Sequence, residues 1–447
     1  MASRIPTAPG ALPLLGHALP LLRRPLAFFT TLPAHGDLVQ IRLGPAQAVV
    51  ICDPGLTEQV LRDDRTFDKG GPMYDRLREV VGGDGIGGCP HSEHRRQRRL
   101  AAPAFHHQRL PDYAQIMMTR FEAAIDSWRD GQILDILPEL TTISTNILAA
   151  AMFSDTLPPA MMRQALDDLA LVLAGAYRRM LTPPPLNQLP TPGNLRYNRA
   201  RSRLRHTIDG IVAERRTSGT QHDDLLSALV NARDPDSDDK HGLTDAEIAD
   251  TAMTIFLAGG ETAATTLAWA LHLLAAHPDI EQRLHAEVDS VLGNRPAQFT
   301  DLPRLEFTKR VITESLRLWP PGWMATRITT SDTQLGDYTL PRDTTMLYSP
   351  YLIHHRGDLY DEPDRFDPDR WLPERASAQR GTYIAFGGGA RRCIGDTFGT
   401  VETVLALAII AARKRLRPVH SERVKATPSI VLFPSRLRMR VTTRGMS

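Results

Sequence analysis

A single thiol sits in the stretch Phe386-Gly387-Gly388-Gly389-Ala390-Arg391-Arg392-Cys393-Ile394-Gly395. Glycines crowd it, two arginines precede it, and an apolar, helix-like segment follows. This combination suits a metal-ligating thiolate. Glycines permit close backbone approach, and nearby positive charge and the N–H groups that open a helix both lower a thiol's pKa. A lone cysteine in a glycine turn is more often an inert thiol, so the case rests on what accompanies it.

Three further constellations accompany it. Glu314-Ser315-Leu316-Arg317 sets an acid and a base at i, i+3, an ordinary helix pair worth a few tenths of a kcal/mol on a surface. Asp367-Pro368-Asp369-Arg370-Trp371, shortly before the thiol, supplies another arginine. Ala258-Gly259-Gly260-Glu261-Thr262 interrupts an apolar helical pattern with two glycines and an acid–alcohol pair. Each mid-helix glycine costs about 1 kcal/mol relative to alanine, which small-residue packing or a need for space must offset. In His94-Arg95-Arg96-Gln97-Arg98-Arg99, His94 and Arg98 share one helix face at i, i+4. A solvated basic face and a nucleic-acid patch are the plain readings of it.

The elements that must position these residues are mostly helical. Alternation over Asp37–Leu43 and Ala48–Cys52 around Gly44-Pro45 predicts a β-hairpin, and Leu56–Arg62 a short helix. Phe67–Pro90 is glycine-rich and reads as a long loop. Helical patterns run from Ser92 to Leu292, with breaks at Pro158-Pro159, Thr182–Pro192 and a charged loop from Asp234 to Gly242. Thr244-Asp245-Ala246-Glu247 is a capping-box start. The helix it opens runs to His277 and spans roughly 50 Å. Short β-like runs follow Pro320-Pro321-Gly322, and an Ala/Leu-rich helix after the thiol extends to about Leu416. No linker or repeat divides the 447 residues, so one α-rich domain over 1–447 is expected.

Bulk properties exclude several classes. A net charge of +2 gives no general attraction to nucleic acid. Cys52, Cys89 and Cys393 are odd in number and far apart, which gives no disulfide framework and fits a reducing cytoplasm. Ala11–Leu22 is leucine-rich, but Pro13, Gly16, His17 and Pro20 interrupt it. A spanning helix needs ~20 apolar residues, so no membrane anchor is expected there.

The spacing Phe-x-x-Gly-x-Arg-x-Cys-x-Gly, together with Glu-x-x-Arg, the downstream Arg370 stretch and Ala-Gly-Gly-Glu-Thr in this order, resembles the cytochromes P-450. The resemblance spans almost the whole chain. It implies a mainly α fold with a small β region, a single large triangular domain, and haem b with Cys393 as axial thiolate in a loop that includes Phe386. It implies that His94, Arg98, Arg327 and Arg391 pair with haem carboxylates, and that Glu314, Arg317 and Arg370 form a buried structural cluster. Glu261 and Thr262 would deliver protons for cleavage of dioxygen.

Wording such as Phe67-Asp68-Lys69-Gly70-Gly71-Pro72 and Tyr177-Arg178-Arg179-Met180 is similar to sesquiterpene-oxidising bacterial members. That implies stepwise oxidation of a hydrocarbon methyl group to alcohol and aldehyde in terpenoid antibiotic biosynthesis. Another terpenoid, a polyketide or a fatty acid is the alternative substrate. The uncharged loop Pro320–Ala325, with Met73, Tyr74, Phe256 and Ile430-Val431-Leu432, is a candidate apolar wall. No flavin or nicotinamide motif is present, so electrons would come from ferredoxin and ferredoxin reductase. Arg391 and Arg392 are candidate ferredoxin contacts, and the enzyme is expected to be a cytoplasmic monomer. A haem isomerase or peroxygenase, and a haem-based sensor or carrier, are the competing readings.

Overall fold

The computed structural model describes residues 4–154, 157–182, 184–218, 222–234, 241–293, 295–376, 381–419 and 424–445. Most of the charged loop expected between Asp234 and Gly242 lies outside the described residues. The chain packs as two compact units, each discontinuous in sequence. One comprises Met1–Asp75, Thr313–Cys393 and Thr427–Phe433, and the other Arg76–Ile312, Ile394–Ala426 and Pro434–Ser447.

The first unit holds most of the β-structure. Its five-stranded sheet runs, in spatial order, Leu38–Leu43, Ala46–Ile51, Thr345–Tyr348, Ala325–Thr329 and Phe67–Asp68. The expected hairpin is present, pairing Leu38 with Ile51 and Leu43 with Ala46. Leu38, Val39 and Ile41 are buried with Val49, Val50 and Ile51, so both faces of this end of the hairpin are covered. A second hairpin, Thr333–Leu335 with Tyr338–Leu340, turns at Gly336, whose φ of 57° suits a residue without Cβ.

The second unit is helical. Its longest helix, Asp245–Ala276, has the expected capping box: the Glu247 N–H donates to Thr244 Oγ1 at 3.2 Å and the Thr244 N–H to Glu247 Oε2 at 2.8 Å. Helix Ile136–Phe153 packs along it, with Phe153 edge-on to Phe256 at 6.0 Å. Helix Asp396–Arg413 packs on Leu110–Ser127, where Phe398 meets Tyr113 at 5.6 Å. A three-stranded sheet orders Ile133–Asp135, Arg438–Thr443 and Lys414–Pro418.

Two boundaries differ from the sequence pattern. Phe67–Pro90 contains a ten-residue helix, Pro72–Val81, with only Val80 and Val81 fully buried. The glycines after it hide its short apolar stripe. The helix after the thiol ends at Arg413 rather than near Leu416, and Lys414–Pro418 is a strand. Leu416 points into the core while Arg415 and Arg417 reach Glu281, an alternation with period two that a helix could not supply.

Helix Ile136–Phe153 is long and apolar enough to cross a membrane by length and composition. Most of it is buried inside the protein, as a core helix would be. The two glycines of the long helix explain how it packs so closely. A Cβ on Gly259 would lie 2.7 Å from Leu148 Cδ2, and one on Gly260 would lie 2.5 Å from Thr145 Oγ1 and 3.1 Å from Thr145 Cα. The space they leave admits the neighbouring helix. An exposed glycine-to-alanine change mid-helix stabilises by about 1 kcal/mol. Gly260→Ala should instead destabilise by roughly 1–3 kcal/mol through overpacking, a sign that denaturant unfolding resolves.

Candidate functional site

The loop bearing Cys393 is closed by its own backbone. The Cys393 N–H donates to Phe386 O at 2.9 Å, Arg392 N–H to Gly389 O at 3.2 Å, and Gly387 N–H to Ile384 O at 2.9 Å. Gly389 has φ +61° and lies against the Leu61 carbonyl, where a Cβ would collide with backbone. Cys393 itself is exposed, and Gly395 caps helix Asp396–Arg413 two residues later. Cys52 and Cys89 are buried, and burial pushes the Cys52 thiol up to about 12. Cys393 is thus the one cysteine whose sulphur is open to a ligand.

The Glu-x-x-Arg pair is buried and fully built. Arg317 holds Glu314 with both Nε and Nη2, at 2.9 and 2.8 Å, and its remaining donors reach the carbonyls of His354, Pro363 and Arg365 at 2.8, 2.7 and 3.2 Å. Arg370 Nε joins at 3.3 Å, and the Trp371 indole N–H donates to Glu314 Oε2 at 2.8 Å. Tyr360 lies beneath both guanidiniums, 5.2 and 5.9 Å from its ring centroid. The expected cluster of Glu314, Arg317 and Arg370 is therefore formed, with Trp371 as a fourth member.

His354 is the residue that sequence reasoning missed. It is fully buried, and its Nε2 accepts the Ile384 N–H at 3.0 Å while its Nδ1 lies 3.1 Å from Arg317 O. Since Nε2 accepts, Nδ1 carries the proton and donates it to Arg317 O. Its ring stacks on Tyr383 at 5.4 Å. One neutral imidazole thus links the ionic cluster to the base of the thiol loop. Burial, and then the Arg317 charge, hold its pKa well below the usual histidine value.

The other nominated residues divide. Arg327 is buried on strand Ala325–Thr329, its guanidinium 5.2 Å from the Tyr348 ring centroid. His94 is buried and Arg98 half-buried on helix His91–Ala101, on one face as expected. Their neighbours Arg96 and Arg99 pair with Glu247 and Asp234 at 2.7 and 3.0 Å, which removes the basis for a nucleic-acid patch.

Arg391 is held by acidic side chains. Its guanidinium is buried and salt-bridged to Asp68 at 2.7 Å, with Asp64 at 3.8 Å, so it anchors the loop. Arg392 is exposed. Phe256 and Leu432 are core rather than wall, and Trp323 is pinned in the core by its indole N–H to Ser429 O at 2.9 Å.

On the long helix, one face opens midway. Ala258 is exposed and Glu261 and Thr262 are half-buried, although Phe256, Leu257, Ala263 and Ala264 beside them are buried. These three positions are i, i+3 and i+4, hence neighbours on one side. Thr262 Oγ1 donates back to Ala258 O at 2.8 Å and Gly259 O at 3.3 Å, and burial raises the Glu261 pKa above the ordinary carboxylate value.

Comparison with known proteins decides the family. The profile described as Cytochrome P450 matches residues 6–439. The chain belongs to the cytochrome P-450 family. It is 46% identical over 415 residues to the cyclooctat-9-en-7-ol 5-monooxygenase of Streptomyces melanosporofaciens, covering 92% of this chain and 90% of that one. It is 44% identical over 440 residues to the pentalenene oxygenase of Streptomyces avermitilis, covering 98% and 97%. The crystal structure of the cytochrome P450DA heme domain matches with a TM-score of 0.88 at 25% identity, covering 100% of this chain and 99% of that one. The mainly α cytochrome P-450 fold with small sheets follows, as does haem with a cysteine thiolate as axial ligand. This cytochrome P-450 is a monooxygenase.

The shifted groups set opposite pH trends. Burial lowers His354, and takes His355 and His285 to about 4, so the unfolded chain binds protons that the folded one refuses below ~6.5. Their stabilisation is complete above that pH and is lost as pH falls toward 4. Glu402, buried on helix Asp396–Arg413, is raised by burial to about 8, with Ser144 opposing. The folded protein keeps its proton while the unfolded chain releases it near ~4.5, so stability falls as pH rises from there toward 8. Glu402→Gln should therefore raise the thermal midpoint more at pH 8 than at pH 5, as calorimetry at both would show.

Proposed function

We propose that this cytochrome P-450 oxidises a methyl group of a sesquiterpene hydrocarbon resembling pentalenene, first to the alcohol and then to the aldehyde. The observation that carries this reading is 44% identity to pentalenene oxygenase over 98% of the chain. The uncharged stretch Pro320–Ala325 agrees with an apolar substrate, since it offers no group to hold a carboxylate. A second reading, insertion of oxygen into a cyclic alkenol such as cyclooctat-9-en-7-ol, draws on the 46% identity to the enzyme of that name.

In this reading Cys393 would ligate the haem iron, and His94, Arg98 and Arg327 would hold the haem carboxylates. Haem, when bound, would supply oxygen activation, which thiolate ligation favours. The Cys393 sulphur stands two residues before a helix N-cap, where the N–H dipoles favour the ionised thiol. Glu261 retains a proton longer than a surface carboxylate because its charged form is poorly solvated. The Thr262 hydroxyl, already donating along the helix, accepts a proton at Oγ1 and can pass its own onward by rotating off Ala258 O. The overall step consumes substrate, dioxygen, two electrons and two protons, and yields alcohol and water. Ferredoxin and its reductase would supply the electrons, with exposed Arg392 among the contacts. The enzyme would be a monomer, and three cysteines that form no disulfide accord with a cytoplasmic setting.

Purified enzyme with reduced ferredoxin and oxygen should convert pentalenene to its alcohol and aldehyde by mass spectrometry. Turnover of cyclooctat-9-en-7-ol alone would favour the second reading. Cys393→Ala should abolish the red-shifted Soret band of the reduced carbon monoxide complex. Thr262→Ala should divert reducing equivalents to peroxide, and unchanged coupling of electron use to product would remove Thr262 from the proton path.

A further inference from the structure

The charge around the thiol loop differs from the charge that its sequence displays. Arg391 and Arg392 both precede Cys393, yet Arg392 is exposed and only Arg391 is buried. Two buried acids face Arg391. Its Nη2 donates to Asp68 Oδ1 at 2.7 Å, and its Nε lies 3.8 Å from Asp64 Oδ2. One guanidinium and two carboxylates give this buried group a formal net charge of −1. Lys69, the next cation along the chain from Asp68, reaches the Tyr74 ring, its Nζ 5.9 Å from the centroid.

A helix end adds to the negative side. The turn Gly389–Arg391 sits on the C-terminus of helix Pro54–Arg62, with Gly389 directly against the Leu61 carbonyl. Carbonyl dipoles at a helix C-terminus act as a partial negative charge. Asp64 follows that helix by two residues.

The fold places Asp68 independently of its arginine. Asp68 pairs with Ile328 on strand Ala325–Thr329, next to Arg327. Its Oδ1 also accepts the Lys69 N–H at 2.7 Å. Two residues on, Gly70 O accepts the Thr326 hydroxyl at 2.8 Å, and Gly70 packs so closely on Ile328 that a Cβ would collide with that side chain. The carboxylate is therefore held beside the loop by the sheet itself. Arg391 is two residues from Cys393, so their Cα atoms are at most about 7.6 Å apart. Charges buried at such range are weakly screened.

We propose that Asp68 and Asp64 are positioning residues that hold Arg391, offset its charge and thereby lower the reduction potential of haem bound at Cys393. Negative charge beside the thiolate disfavours adding an electron to the iron. The effect presupposes Cys393 as the haem ligand, the reading given above.

The test is spectroelectrochemical titration of the haem-loaded enzyme carrying Asp68→Asn. Asparagine Oδ1 still accepts hydrogen bonds from Arg391 and the Lys69 N–H, so the charge is removed while the anchor stays. At a fixed electrode potential the reduced-to-oxidised ratio should rise about tenfold, an upward shift of about 59 mV. Asp64→Asn should move it in the same direction by less. Asp68→Glu keeps the charge and should stay near the wild-type potential, whereas a purely structural role predicts that the longer side chain disturbs the site more than asparagine does. The red-shifted Soret band of the reduced carbon monoxide complex reports the thiolate ligand separately. An unchanged potential in Asp68→Asn with that band intact overturns the proposal, as do equal shifts in Asp68→Asn and Asp68→Glu. If Asp68→Asn takes up no haem, Asp64→Asn decides by the sign of its shift. A wild type without the band removes the ligand reading, and this proposal with it.

Discussion

Burying a carboxylate is the constraint on which the first unit depends. Glu314 is fully buried, and an isolated charge there would cost several kcal/mol after every relaxation. It is tolerated because Arg317, Arg370, Trp371 and the Asp367 N–H all donate to it. Arg317 spends its other donors on three carbonyls from two stretches of chain. Such a cluster contributes little net stability but strongly penalises any rearrangement, because removing one partner strands the rest, at about 3–5 kcal/mol. It works as a clamp on the meandering chain between His354 and Trp371.

The clamp acts on the thiol loop through neutral groups. His354 carries it from Arg317 O to Ile384 N–H, Ile384 O accepts from Gly387, and Phe386 O accepts from Cys393. Arg391 secures the far side of the loop through Asp68 and Asp64. Glycine at position 389 lets the loop sit directly on the Leu61 carbonyl. The loop therefore owes its shape to contacts at several points, while the cysteine side chain itself stays exposed.

Much of this was legible in the residues. The capping box at Thr244, the hairpin at Gly44-Pro45 and the Glu314–Arg317 pair are local patterns whose partners lie within a few positions. The cysteine loop was legible because glycine, arginine and thiol occur at set spacings. What was hidden depends on long-range contact. His354 pairs with groups 37 and 30 residues away, and Arg391 with one 323 away. No periodicity encodes such partners. Gly259 and Gly260 were visible as anomalies, but only the packed helix Ile136–Phe153 shows which neighbour needs the space. Helix Pro72–Val81 escaped notice because the glycines after it dominate the composition and its buried face is only two valines.

The central claim is that the buried cluster fixes the thiolate loop by way of His354. The most direct measurement is denaturant titration of the reduced carbon monoxide complex of His354→Ala, followed by Soret absorbance and by far-ultraviolet circular dichroism. In the wild type both signals should be lost together. In the variant the red-shifted Soret band should disappear at lower denaturant than the helical signal, because the loop is released before the helices melt. Coincident transitions in His354→Ala, shifted or not, would contradict the account.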